Sequence, residues 1–159
     1  MHSSPVSDEQ RVVAAARGLL RTIGRLSRDL YQAGEFGLSR SHVSVLDALE
    51  TRGLRVTELA ADTGLTQPRV TVVLQELAER GLAERTRCTT DRRAVDASIT
   101  PAGRQYLEDA RQRMAAAIHT GLAARGSDAE DSERAVLAAR AAVSTLLDAL
   151  HAPIEAEVS

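Results

Sequence analysis

The chain has 159 residues, enough for one domain with a sizeable core, and 43% of them are hydrophobic. That apolar mass is Ala, Leu and Val; one Phe, two Tyr and no Trp make an aromatic-lined pocket a poor fit. A net charge of −2, with Arg as every one of the 20 basic residues, excludes a generally basic nucleic-acid coat, and a single Cys excludes an internal disulfide framework.

The charge is unevenly spread. Residues 108–159 hold five Arg against nine acids, whereas 1–54 and 55–107 are each slightly positive. A polyanion is therefore expected to meet the first two thirds of the chain. MHSSPVSDEQ has no apolar signal segment, and no apolar run approaches the ~20 residues of a membrane span. A soluble cytoplasmic protein is expected.

The first element is a helix over 8–33. Val12, Val13, Ala16, Leu19, Leu20, Ile23, Leu26 and Leu30 recur at three- and four-residue steps, which makes an apolar stripe. AGEFGL (33–38) breaks it. Ser39 then caps a second helix carrying Val43, Leu46 and Leu49, closed by Gly53. Two short helices follow. Thr57 is the expected cap of one, which ends at Gly64; Thr66 caps the other, which runs to about Arg80 with Pro68 in its first turn and Gly81 at its end. Residues 82–88 and 94–100 alternate as two strands. Thr100-Pro101 starts a helix to about 124 that buries Leu107, Ala110, Met114, Ala117 and Ile118. After a turn in 124–132, a last helix over 129–150 shows Val136, Ala139, Val143, Leu146, Leu147 and Leu150.

Short helix, turn, short helix and hairpin make a winged helix-turn-helix, whose second short helix suits a DNA major groove. The fold class is mainly α with a small β-hairpin wing. The expected domains are an N-terminal dimerisation helix (1–33), a DNA-binding region (34–100; recognition helix 66–80, wing 82–100), C-terminal dimerisation helices (101–151) and a flexible tail (152–159). The long flanking stripes exceed what so small a module can cover, so a homodimer is expected.

The stretch VTELAADTGLTQPRVTVVLQELAERGLAERTRCTTDRRAVDASITPAG (56–103) resembles the MarR family of bacterial transcription regulators. The likeness rests on the LA-x-x-x-GL turn, the TQPRVT helix start, the L-x-x-RGL exit, the DRR wing tip and the closing IT-x-AG; LSRSHVSVLDAL (38–49) is similar to the family's second helix. The resemblance implies a homodimer, probing a palindromic operator in double-stranded DNA, controlled by a small-molecule or oxidant signal.

On the recognition helix, Val70, Val73, Leu74 and Leu77 form the buried stripe, leaving Thr66, Gln67, Arg69, Thr71, Val72 and Gln75 to face DNA. Gln matches adenine, Arg matches guanine, and Thr suits phosphate or a thymine methyl; the alternative is an ordinary solvated face. Val72 stands where the family often has a basic residue. Either a phosphate contact is lost there, with Arg69 supplying the charge, or Val72 packs on a thymine methyl. On the wing, Arg85, Arg87, Arg92 and Arg93 suit a narrow minor groove, and the resemblance makes Asp91 the brace of Arg93. Alternatively, one of Arg85, Arg87 and Arg92 binds Asp96 or Glu84. Strict alternation puts Leu82, Glu84, Thr86 and Cys88 on one face and Ala83, Arg85 and Arg87 on the other. Cys88 reads as a small buried thiol on the Leu82 face, with oxidant sensing as the alternative.

Tyr31 and His42 are candidates to border a ligand pocket near the junction of the second helix and the dimer helices. The four histidines are scattered, so no metal site and no cofactor is expected. No phosphate loop, nucleophile elbow or H-E-x-x-H motif is present, which argues against an enzyme. The competing functions are a helical dimer that mediates protein interaction without specific DNA binding, and a metal- or redox-responsive sensor of the same family.

Overall fold

Ser7 opens the first helix of the computed structural model, which describes residues 7–87 and 95–151. The Ser7 side chain accepts from the Gln10 amide while Gln10 returns a bond to the Ser7 amide, a closed capping box. Helix α1 (Asp8–Ala33) follows, and none of its residues is buried. Helix α2 (Arg40–Leu49) starts at the Ser39 cap as expected but stops at Glu50, not at Gly53.

The next residues correct the sequence reading. Leu54–Arg55 form a short strand, β1, that the alternation pattern does not reveal. Helix α3 (Val56–Thr63) therefore starts one residue before Thr57, and Thr57 is not its cap. Glu58 reaches back from inside the helix to accept the Arg55 amide at 2.7 Å, so an internal carboxylate satisfies the first orphan N–H. Gly64, at φ 69°, ends α3 in the left-handed region that glycine adopts without steric cost.

Helix α4 (Gln67–Glu79) is capped by Thr66, and Gly81 (φ 70°) turns the chain out of it. Strands β2 (Ala83–Arg87) and β3 (Val95–Ile99) pair antiparallel, with Ala83 opposite Ile99 and Arg87 opposite Val95. Strand β1 adds to the other edge of β3, giving an antiparallel sheet in the order β1-β3-β2. The wing thus has three strands where a hairpin was expected. Helix α5 (Pro101–Ala124) and helix α6 (Ala129–His151) complete the described chain.

Two compact units result, residues 1–115 and 116–159, with the border inside α5. The first unit holds the core. Leu46 and Leu49 of α2, Leu59 of α3, Val70, Val73, Leu74 and Leu77 of α4, Ala97 and Ile99 of β3 and Leu107 of α5 are all buried there. Each fully buried Leu is worth about 1.5–3 kcal/mol. Gly103 is required where α5 leaves the sheet: a Cβ there would collide with the Leu82 carbonyl oxygen. Thr100 closes the same corner. Its hydroxyl donates to the Gly81 carbonyl at 2.7 Å and accepts from the Gly103 amide at 3.0 Å. Leu107 and Ala110 are buried as expected and Met114 partly so, whereas Ala117 is exposed. In the second unit, Gly126 (φ 86°) makes the turn and the Asp128 carboxylate caps α6 through the Asp131 amide.

Charged groups tie α5 to α2. The Arg111 guanidinium donates to both Glu50 carboxylate oxygens at 2.6 Å and to Asp47 at 3.0 Å. Arg104 donates to the Glu50 carbonyl at 2.7 Å, a use for the last carbonyls of α2 that helps explain its early end. Arg111 holds the Glu50 carboxyl below its usual range. Asp47 is pushed up, because desolvation by burial outweighs the attraction of Arg111. The paired carboxylates raise Arg111 above the ordinary guanidinium value, chiefly through the Glu50 hydrogen bond.

Candidate nucleic-acid interface

The presenting surface follows from how α4 is buried. Val70, Val73, Leu74 and Leu77 all turn into the core, so the helical period leaves Gln67, Pro68, Arg69, Thr71, Val72 and Gln75 exposed on the opposite side. Pro68 costs the first turn no hydrogen bond, since the N–H there has no intrahelical acceptor.

The six candidate residues on this helix divide by what their side chains already do. Thr66 caps the helix, its hydroxyl oxygen accepting from the Arg69 amide at 3.4 Å. Thr71 donates to the Gln67 carbonyl at 3.0 Å. Gln75 accepts from the Arg85 guanidinium at 2.7 Å and donates to Glu79 at 2.9 Å. Among the described residues, no hydrogen bond uses the side chains of Gln67 or Arg69. Val72 is 47% exposed.

The Gln75–Arg85 bond joins two of the expected DNA contacts to each other. It runs from α4 to β2 and braces that strand against the helix. Arg85 therefore has an amide partner and not the Glu84 or Asp96 that the sequence left open. Asp96 instead lies 3.6 Å from Arg55, the residue paired with it across β1 and β3. Sequence reasoning missed that ion pair because it missed β1.

Ala83, on the Arg85 face, is buried, as are Ala97 and Ile99 opposite. Glu84 and Thr86 are exposed, and Leu82 is buried ahead of the strand. Sharing the alternation of Leu82 is thus not a reason to bury Cys88. The backbone of Arg87 ends β2. Cys88, Asp91, Arg92 and Arg93 lie outside the described residues, and so does the expected Asp91–Arg93 brace.

Tyr31 and His42 sit in different surroundings. Tyr31 stacks on Phe36 at 5.1 Å between centroids, carries the Arg40 guanidinium 4.7 Å over its ring, and donates its hydroxyl to the Leu38 carbonyl. His42 is buried. Its Nδ1 lies 2.6 Å from Ser39 Oγ, and its Nε2 lies 2.6 Å from a Glu76 carboxylate oxygen on α4, without hydrogen-bond alignment. A shallow groove lined by Ser44, Asp47, Ala48, Thr51, Asp62 and Thr63, and another along α1 from Ser7 to Arg21, use neither residue. No helix among the described residues is long and apolar enough to cross a membrane.

A model of the MarR family matches residues 36–94, which run from the start of α2's approach to the wing. The chain is similar in structure to a MarR family transcriptional regulator from Rhodococcus sp. RHA1, at 26% identity over 91% of this chain and 96% of that one, with a TM-score of 0.62. It is similar to the transcriptional repressor CouR bound to a 23-mer DNA duplex, at 29% identity over 80% of this chain and 89% of that one, with a TM-score of 0.58. An S. aureus MepR mutant bound to an oligodeoxyribonucleotide shares the fold at 20% identity, covering 86% and 98% of the two chains, with a TM-score of 0.59. No curated protein matches the chain in sequence.

Proposed function

We propose that this chain, which belongs to the MarR family of DNA-binding transcription regulators, is a repressor that grips a palindromic operator as a homodimer and releases it on binding a small molecule. The observation that carries the reading is the exposed face of α4, where among the described residues Gln67, Arg69 and Val72 make no side-chain hydrogen bond, on a helix whose other side is locked into the core. Gln67 suits adenine and Arg69 suits guanine. The exposed apolar stripes of α1 and α6 are what a second copy covers. A dimer then offers two recognition helices about 34 Å apart to successive major grooves. The likeness to a repressor captured on duplex DNA supports the sign of regulation.

The wing supplies the second contact. Arg85 braces β2, which leaves Arg87, Arg92 and Arg93 to reach the minor groove, Asp91 orienting Arg93. Effector control enters through His42. It touches Glu76 on α4, so a ligand that displaces the His42 ring, with Tyr31 at the pocket border, shifts the recognition helix.

Selecting bound fragments from genomic DNA and titrating the winning site against salt tests the reading. One palindromic family of sites is expected, with affinity falling steeply as salt rises. Arg69→Ala is expected to cost about 1–3 kcal/mol and to relax selectivity at one base pair of each half-site. No preference for any sequence over random DNA at any salt concentration would sink it.

A further inference from the structure

Large apolar side chains that remain exposed among the described residues fall in three places. Six lie on α1, from Val12 to Leu26, and six on α6, from Val136 to Leu150. The thirteenth is Val72, alone in the winged-helix region. The two stripes have a covering partner in the proposed dimer. Val72 has none: it lies on α4, between the buried positions Val70 and Val73 in sequence and on the opposite side of the helix.

Nothing among the described residues covers it. A β-branched residue at an exposed helical position is a weak helix former, so Val72 does not serve α4 itself. It has no donor for a phosphate. Its neighbours one turn away are Arg69 before it and Gln75 after it, and Gln75 is held by Arg85 and Glu79. The middle of this face is therefore an apolar knob with the exposed Arg69 side chain on one flank and a braced amide on the other.

Base edges in the major groove offer one apolar feature, the pyrimidine C5-methyl group. Side chains three apart on a helix stand about 5–6 Å apart at Cβ, and successive base pairs are about 3.4 Å apart. Arg69 and Val72 thus reach base pairs one or two steps apart. We infer that Val72 is a specificity-determining residue that seats on a pyrimidine C5-methyl group, one or two base pairs from a guanine held by Arg69. The inference rests on the DNA-binding reading and adds the chemistry of one operator position. Thymine and 5-methylcytosine both carry the methyl group.

The test uses the full-length protein and its selected operator, with each thymine replaced in turn by uracil, which lacks only the methyl. One position per half-site is expected to weaken wild-type binding about fourfold, the factor for withdrawing one buried methyl from apolar contact. Val72→Ala, at an exposed site that leaves the core intact, is expected to bind the thymine and uracil operators alike. At the same position, a 5-methylcytosine·guanine pair is expected to bind better than an unmethylated cytosine·guanine pair. Tighter binding to thymine than to 5-methylcytosine there assigns thymine as the natural source, and the reverse assigns methylated cytosine. Uracil tolerated at every position, or a uracil penalty that survives in Val72→Ala, overturns the inference while operator binding itself stands. Absence of any selected operator fails the broader reading instead.

Discussion

Two helices of this chain carry the same apolar spacing and meet opposite fates. Val70, Val73, Leu74 and Leu77 on α4 are completely buried, whereas Val143, Leu146, Leu147 and Leu150 on α6 are 40–81% exposed. Steps of three, one and three residues give each helix one apolar face. They do not say what covers it. In α4 the cover is local: α2, α3 and the sheet supply Leu46, Leu49, Leu59 and Ala97. For α6 the described residues supply no such core, since Ser132 alone is buried on that helix. Patterning thus sets which face is apolar, while the number of facing elements in the same chain decides whether that face is finished or waits for a partner.

The largest effect expected from this contrast comes from truncating one Leu in each stripe. Leu74→Ala should cost about 2–5 kcal/mol, because it removes packed volume from an enclosed core. That loss should be independent of protein concentration. If the proposed second copy covers it, Leu147→Ala should lower the thermal midpoint chiefly at low concentration, because mass action sets how much of that cover is present. Thermal unfolding of both variants at two widely separated concentrations checks the pair. Equal, concentration-independent losses would mean that α6 is covered within its own chain.

A second contrast sharpens the first at the level of single hydrogen bonds. Thr100 and Ser7 are both helix caps, one buried in the corner between wing and α5, the other in water at the start of α1. Thr100→Val keeps the shape but strands the Gly103 amide and the Gly81 carbonyl, and should cost about 1–3 kcal/mol. Ser7→Ala leaves its amides to solvent and should cost about 0.5–1 kcal/mol, the low end for caps. Denaturant midpoints of the two variants separate the cases; a Ser7→Ala loss as large as that of Thr100→Val would contradict the exposure argument.

Caps and stops explain what was legible. Thr66, Thr100 and Gly81 act within a few residues of themselves, so the bounds of α4 and the start of α5 could be read directly. Strand β1 could not, because two residues carry no period and Leu54–Arg55 is a strand only by pairing with Ala97 and Asp96. The displaced start of α3 follows from the same pairing. At the interface, the exposed side of α4 was legible from the buried stripe alone. The Gln75–Arg85 brace was not, since it depends on where β2 runs past the helix. Asp47 and Glu50 at three-residue spacing, and Arg104 and Arg111 at seven, each mark one helix face. Their meeting was set by tertiary packing.

That meeting gives the smallest and most pH-specific expectation. Arg111 is 40% exposed and Glu50 31%, so their bond should be worth no more than about 1 kcal/mol once solvent screens it. Its sign is nonetheless fixed. Arg111 lowers the Glu50 value below the usual 4.5, so the folded state holds fewer protons there than the unfolded chain, and the stabilisation is full above that pH. It disappears as pH falls through the folded value. Asp47 sits above its usual value through desolvation, but the Arg111 charge lowers it, so removing Arg111 worsens both carboxylates in the same direction. Wild type should therefore lead Arg111→Met by a small margin near neutral pH, and the two should converge on acidification below the usual glutamate range. Thermal midpoints measured across that range check it. A margin that stays the same in acid would show that the clamp acts through packing of the Arg111 stem and not through its charge.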